Sequence, residues 1–226
     1  MQLFRRSENP NAIAAIFLLV LLAVFAGPNT LPRLLSNVLP FADEGAPCEW
    51  LRTAEDLAEH QSLIGRAVAN PMALTVKVSP LPTTPDGQLV ITITVINQSI
   101  GTVPILYNKD RVLVGDNGTS GLGIVFNPPN SMTTGATRQD AASYLESDIR
   151  LLGPRQRCTH KIAFPANQID PNLLSGTAGV TAYYRNNNRG QVAPAPGGLA
   201  TPIFSDQGLW TGFVQSEPVV IPLASQ

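Results

Sequence analysis

From Ala12 to Gly27 the chain reads AIAAIFLLVLLAVFAG, sixteen residues without a charge and almost without polarity. Continued to Leu31 as a helix rising 1.5 Å per residue, the segment reaches about 30 Å, the thickness of a bilayer's hydrocarbon core. Arg5 and Arg6 precede it, whereas Arg33 is followed by Asp43 and Glu44. That asymmetry places the N-terminus in the cytoplasm and the rest outside. The rival reading is a cleaved signal peptide, with Val24-Phe25-Ala26 as its cleavage site. Retention is favoured by Leu31–Phe41, LPRLLSNVLPF, an apolar stretch with single polar breaks that suits the membrane interface. No Cys follows the apolar run where a lipoprotein would carry one.

Beyond the membrane the period first reads as helical. Over Cys48–Ala69, Trp50, Ala54, Leu57, Gln61, Ile64 and Val68 recur at three- and four-residue steps, which predicts a juxtamembrane helix with one apolar face. Glu49, Glu55 and Asp56 sit in its first turns and Arg66 near its end, complementing the helix dipole. Asn70-Pro71 closes it.

From Leu74 the period becomes two. Leu74–Val78 alternates, Pro85-Asp86-Gly87 turns the chain, and Gln88–Asn97, QLVITITVIN, alternates again with dense β-branching. Further strands are expected at Val103–Tyr107, Arg111–Val114, Gly123–Phe126, Arg157–Phe164, Gly179–Arg185, Leu209–Val214 and Pro218–Leu223. Asp116-Asn117-Gly118 suggests a tight turn between Arg111–Val114 and Gly123–Phe126. Asn127–Ala142 reads as a polar loop, with a helical turn near Asp140–Glu146. Many short strands with turn signals and no βαβ rhythm predict an all-β, antiparallel sandwich. The expected domain organisation is a basic tail at 1–11, an anchor at 12–31, a linker with an amphipathic helix at 32–72 and the β-sandwich at 73–226.

Composition narrows the function. Beyond Phe41 about 185 residues remain, enough for one sandwich-sized domain. Charged residues are 14% of the chain and the net charge is -1, so no basic field exists to attract nucleic acid. The two cysteines, Cys48 and Cys158, are best read as one disulfide formed outside the cytoplasm, with two free thiols as the alternative. Cys158 and His160 lie on one face of a strand, as in some copper sites, but no motif supplies further ligands. No nucleophile elbow, HExxH helix, P-loop, haem-attachment motif or clustered acid pair is present, so neither catalysis nor a cofactor is expected. Asn97-Gln98-Ser99 and Asn117-Gly118-Thr119 match the glycosylation sequon, but both stand where a turn favours Asn.

INQSIGTVPIL, RQRCTHKIAFP, TAGVTAYYRN and the closing LWTGFVQSEPVVI follow one another in order. This series resembles the immunoglobulin-like domains of bacterial extracytoplasmic proteins, including those similar to proteinase inhibitors of the BsuPI type. The likeness covers about Leu74–Leu223 and includes Trp210-Thr211-Gly212 with Ser216 and Pro218-Val219. It implies an immunoglobulin-like fold. No inhibitory loop carries over, and two regions depart from the pattern: Thr119–Ile149, which is expanded, and Asn186–Gln207, which is far longer than a hairpin needs.

That long loop is the candidate contact surface. It holds Arg189, a Pro-rich run, and then Ile203 and Phe204, which could anchor a partner or pack back on the domain. The preferred expectation is a non-catalytic, single-pass membrane protein serving as an accessory or assembly subunit of a larger complex, with an electron-transfer or photosynthetic host as one example. Its partners would be membrane proteins, met through anchor and sandwich loops, and the bilayer. The alternative is a membrane-tethered binding module working alone, such as a proteinase inhibitor or ligand sensor.

Overall fold

In the computed structural model of the protein, residues 45–53, 71–116, 118–129, 144–192, 201–202 and 209–223 are described, together with Leu18. All but Leu18 belong to the second of two compact units, Gly45–Gln226. The tail, the anchor other than Leu18, the Leu31–Phe41 stretch and residues 54–70 lie outside the described residues. Among the described residues no helix is long and apolar enough to cross a membrane.

The described body is all-β, with strands joined by short 3₁₀ turns. Its backbone is the run of alternating β-branched residues. β3 (Met72–Val78) and β4 (Gln88–Asn97) form a hairpin, and β9 (Arg157–Pro165) pairs antiparallel on the other side of β4. The two-residue β1 (Ala46–Pro47) lies parallel to β9 and completes the order β1-β9-β4-β3. A second sheet runs β13-β10-β7-β6, from β13 (Gly212–Gln215), β10 (Gly179–Asn186), β7 (Gly121–Asn127) and β6 (Leu113–Val114). β14 (Val219–Val220) also pairs with β10. A third sheet joins β2 (Arg52–Thr53), β8 (Ile149–Leu152) and β5 (Val103–Leu106). β11 (Gln191–Val192) and β12 (Thr201–Pro202) make a small ribbon.

Period-two alternation explains the core. Leu89, Ile91, Ile93 and Val95 of β4 are all buried, and Leu74 and Val76 join them from β3. From the second sheet Ile124 and Phe126 of β7 and Val180, Ala182 and Tyr184 of β10 enter the same core. Phe126 meets Phe164 edge-to-face at 5.9 Å, a geometry that aligns ring edge with ring face. Tyr184 ties the second sheet to the third, because its hydroxyl accepts the Leu106 N–H at 2.9 Å. Burial pushes the Tyr184 hydroxyl's pKa far up, so it stays protonated.

Three expectations are corrected. Cys48 opens no α-helix: Cys48–Trp50 is a single 3₁₀ turn and Arg52–Thr53 pairs with Leu151 and Arg150 of β8. Strand pairing and the disulfide override the helical period over Cys48–Thr53, and the remainder of the expected helix lies outside the described residues. Leu113–Val114 and Gly121–Asn127 are not a hairpin but pair in parallel, Leu113 beside Gly123. The Asx turn at Asp116 is present, its Oδ1 accepting the Gly118 N–H at 2.9 Å, but the loop continues before returning. Finally, β8 lies where no strand was expected. Its burial pattern is buried, half-buried, buried, buried, which breaks the alternation that reveals a strand.

Candidate functional site: a cleft beside the disulfide

Cys48 and Cys158 form a disulfide, with their Cα atoms 4.8 Å apart and both residues 0% exposed. No free cysteine remains. The bond removes Cys158 as a thiolate ligand, so the copper-type pairing with His160 is excluded. Among the described residues no group of three or more His, Cys, Asp or Glu is placed to hold a metal.

The same bond holds one wall of an open cleft of about 410 Å³. Cys48 and Leu51 are buried and bracket a turn closed by Leu51 N–H donating to the Cys48 carbonyl. Between them Glu49 and Trp50 project outward, and Trp50 is 74% exposed. Tyr107 to Asp110 form the opposite wall, and Ser147, Asp148 and Arg150 line the rest. Local hydrogen bonds order these loops. Asn108 Oδ1 accepts the Asp110 N–H at 3.0 Å, while Asn108 Nδ2 donates to the buried Asp148 carboxylate at 2.6 Å. Tyr107 N–H donates to the Asp148 carbonyl at 2.7 Å. Arg150 Nη1 donates to the carbonyls of Ser147 and Ile149. Across the mouth Lys109 Nζ meets Glu49 at 3.4 Å, with side chains 58% and 42% exposed. A pair that exposed is worth about 0–1 kcal/mol.

Behind the cleft the Tyr107 hydroxyl and His160 Nδ1 are 2.8 Å apart. Burial, reinforced by the negative charge of Glu49, pushes the Tyr107 hydroxyl up to about 12. Burial pushes His160 down, against the opposing pull of Glu49. Both groups are thus held neutral, and the single hydrogen bond between them is directed by the imidazole tautomer. The consequence is pH-dependent stability. With the folded-state pKa of His160 below its ordinary 6.5, the unfolded chain takes up the proton first as pH falls. Stability contributed here is fully present above about pH 6.5 and declines below it. Urea titrations at stepped pH should show a decline in the wild type that is shallower in His160→Gln; parallel profiles would exclude the effect.

A second exposed cluster lies on the outer face of the β13-β10-β7 sheet. Arg185 clasps Asp116 through two hydrogen bonds, 2.6 and 3.0 Å, and stacks 4.9 Å from the centroid of the half-exposed Phe213 ring. Partial burial pushes the Asp116 carboxyl up, but the bonds from Arg185 and Gly118 and the guanidinium charge outweigh it and hold the group low. Tyr183 lies directly over Gly123, where a Cβ would come within 2.5 Å of its ring, and its hydroxyl donates to the Gly115 carbonyl.

Of the residues proposed from sequence to meet a partner, Arg189 is exposed and its carbonyl accepts the Leu209 N–H at 2.9 Å. Ile203 and Phe204 lie outside the described residues. The structure does not bring Arg189 to the cleft's lining. Sequence reading placed Trp50 on an apolar helix face and missed the cleft; the one available signal was Glu49-Trp50 immediately after a cysteine. Asn97 does make the expected Asx turn, Oδ1 accepting Ser99 N–H at 2.9 Å, but it is wholly buried, so its amide cannot carry a glycan. No family model, curated protein or solved structure matches this chain.

Proposed function

We propose that the chain is a non-catalytic accessory or assembly subunit of a larger membrane protein complex. Its N-terminal apolar segment serves as a single-pass anchor, and its β-rich body is an immunoglobulin-like sandwich held on the extracytoplasmic, periplasmic side. The observation that carries this reading is the buried Cys48–Cys158 disulfide, since such bonds persist in oxidising compartments and are rare in the cytosol. The anchor then follows from the sixteen uncharged residues that stand between basic Arg5-Arg6 and this body. Core residues drawn from two sheets support the sandwich. The long 186–207 region, with Arg189, Ile203 and Phe204, and the exposed aromatic residues supply contact surface for membrane-protein partners.

The second reading, a tethered binding module acting alone, is favoured by one feature: the cleft beside Trp50 is open to solvent and falls in the size range of small-ligand sites. The two separate on a native gel. Full-length protein extracted in mild detergent from its own membrane should comigrate with a fixed set of larger membrane proteins. Migration as a monomer or small homo-oligomer would reject the subunit reading in favour of the stand-alone module.

A further inference from the structure

The cleft has an occupant that its chemistry selects. Tryptophan is an expensive residue to leave in water, and Trp50 stands 74% exposed although the core does not use it. It is also fixed. Cys48 is bonded to β9 two residues before it, Leu51 is buried immediately after it, and the Leu51 N–H closes the turn. A large ring carried on a backbone already ordered before binding gives contact area at reduced entropic cost, the character of an interface anchor.

Charge decides what that anchor meets. The lining carries three carboxylates, Glu49, Asp110 and Asp148, against two cations, Lys109 and Arg150, a balance of -1. Asp148 is buried and takes a hydrogen bond from Asn108, and Arg150 Nη1 is engaged with backbone carbonyls. The groups free to respond to a visitor are therefore at the mouth: exposed Asp110, and Glu49 in its weak, exposed pair with Lys109. A second positive group competing with Lys109 would gain two carboxylates in a cleft that an aromatic ring also lines, a combination that attracts ammonium and guanidinium ions. The outer sheet face has no comparable offer, because Arg185 and Asp116 already neutralise each other there.

We infer that this cleft is a docking site for a basic side chain of a partner protein, seated between Glu49 and Asp110 with the Trp50 ring as its wall. The inference rests on the reading of the chain as a subunit that docks on a larger protein, and it assigns the contact. Lys109 acts as an internal competitor that the partner's Lys or Arg displaces.

The test uses full-length protein in detergent with Trp210→Phe, so that Trp50 is the sole tryptophan reporter. It is titrated with a capped Ala-Gly peptide carrying one Lys beside one Leu, and with a twin carrying Glu in place of Lys. The Lys peptide should give a saturable change in Trp50 emission that weakens with salt, and the Glu peptide should give none. Glu49→Gln should weaken the Lys peptide about tenfold, whereas Lys109→Met, which removes the competitor, should tighten it several-fold. An equal response to both peptides, no saturable response, or a Lys109→Met variant that binds more weakly would each overturn the proposal. In the native-membrane extraction, Trp50→Ala should lose the larger partners while its melting temperature stays unchanged. Retained partners would overturn the cleft assignment and leave the subunit reading standing; wild type that migrates alone removes the subunit reading, and the peptide titration then decides the cleft by itself.

Discussion

Asn97→Ala should cost about 3–5 kcal/mol of unfolding free energy, the largest loss expected from any single polar side chain described in this fold. Asn97 closes β4 at 0% exposure. Its Nδ2 donates to three carbonyls, Gly101 at 2.7 Å, Leu152 at 3.0 Å and Gly153 at 2.7 Å, sharing two N–H groups among them. Its Oδ1 accepts from the Ser99 N–H and from the Ser99 hydroxyl, 2.7 Å away. One side chain thereby fastens the end of the β3-β4-β9 sheet to the end of β8 in the sheet beside it. Truncation removes these bonds and leaves buried backbone groups without partners, which is costlier than the average bond is worth. Asn97→Asp should be at least as damaging, since it removes the donors and buries a charge opposite three carbonyl oxygens. Urea unfolding measures both: the midpoint should fall with little change in slope. A loss under about 1 kcal/mol in Asn97→Ala would show that the node is not structural.

The second large effect is loss of the disulfide. The bridge spans 110 residues of sequence, and chain-entropy reasoning assigns such a loop about 4–5 kcal/mol, an upper figure. What depends on it is uneven. The segment carrying Glu49 and Trp50 is otherwise tied down by two short pairings, Ala46–Pro47 to β9 and Arg52–Thr53 to β8. A Cys48→Ala, Cys158→Ala double variant should therefore lower the unfolding midpoint and also raise amide exchange over Gly45–Thr53 well before global unfolding. Exchange there that stays as slow as in β4, with stability unchanged, would contradict the assigned role.

How far this architecture was legible depended on whether the signal was local. β4 was bounded correctly at Gln88–Asn97 because ten residues of alternating β-branched side chains leave few alternatives. The cysteine pairing was legible by arithmetic, since two cysteines allow one bridge. The head of the expected helix failed because its three- and four-residue spacing was outweighed by tertiary partners: Cys158, Leu151 and Arg150, a hundred residues on. Asn97 displayed only its local half, the Asx turn with Ser99; its bonds to Leu152 and Gly153 reach across 55 and 56 residues. The cleft was invisible for the same reason. Glu49-Trp50, Tyr107–Asp110 and Ser147–Arg150 are three separate stretches with no motif among them, and only the meeting of β1, β5, β8 and β9 brings them together.

The central claim is that this disulfide-clamped body resides outside the cytoplasm. Its most direct test is acid quench and thiol alkylation of cells producing the full-length chain, followed by non-reducing peptide mass spectrometry. The account predicts a linked Cys48–Cys158 peptide and no alkylated cysteine in the membrane fraction. Two alkylated thiols in freshly quenched protein would contradict it, removing both the clamp and the main ground for an extracytoplasmic location.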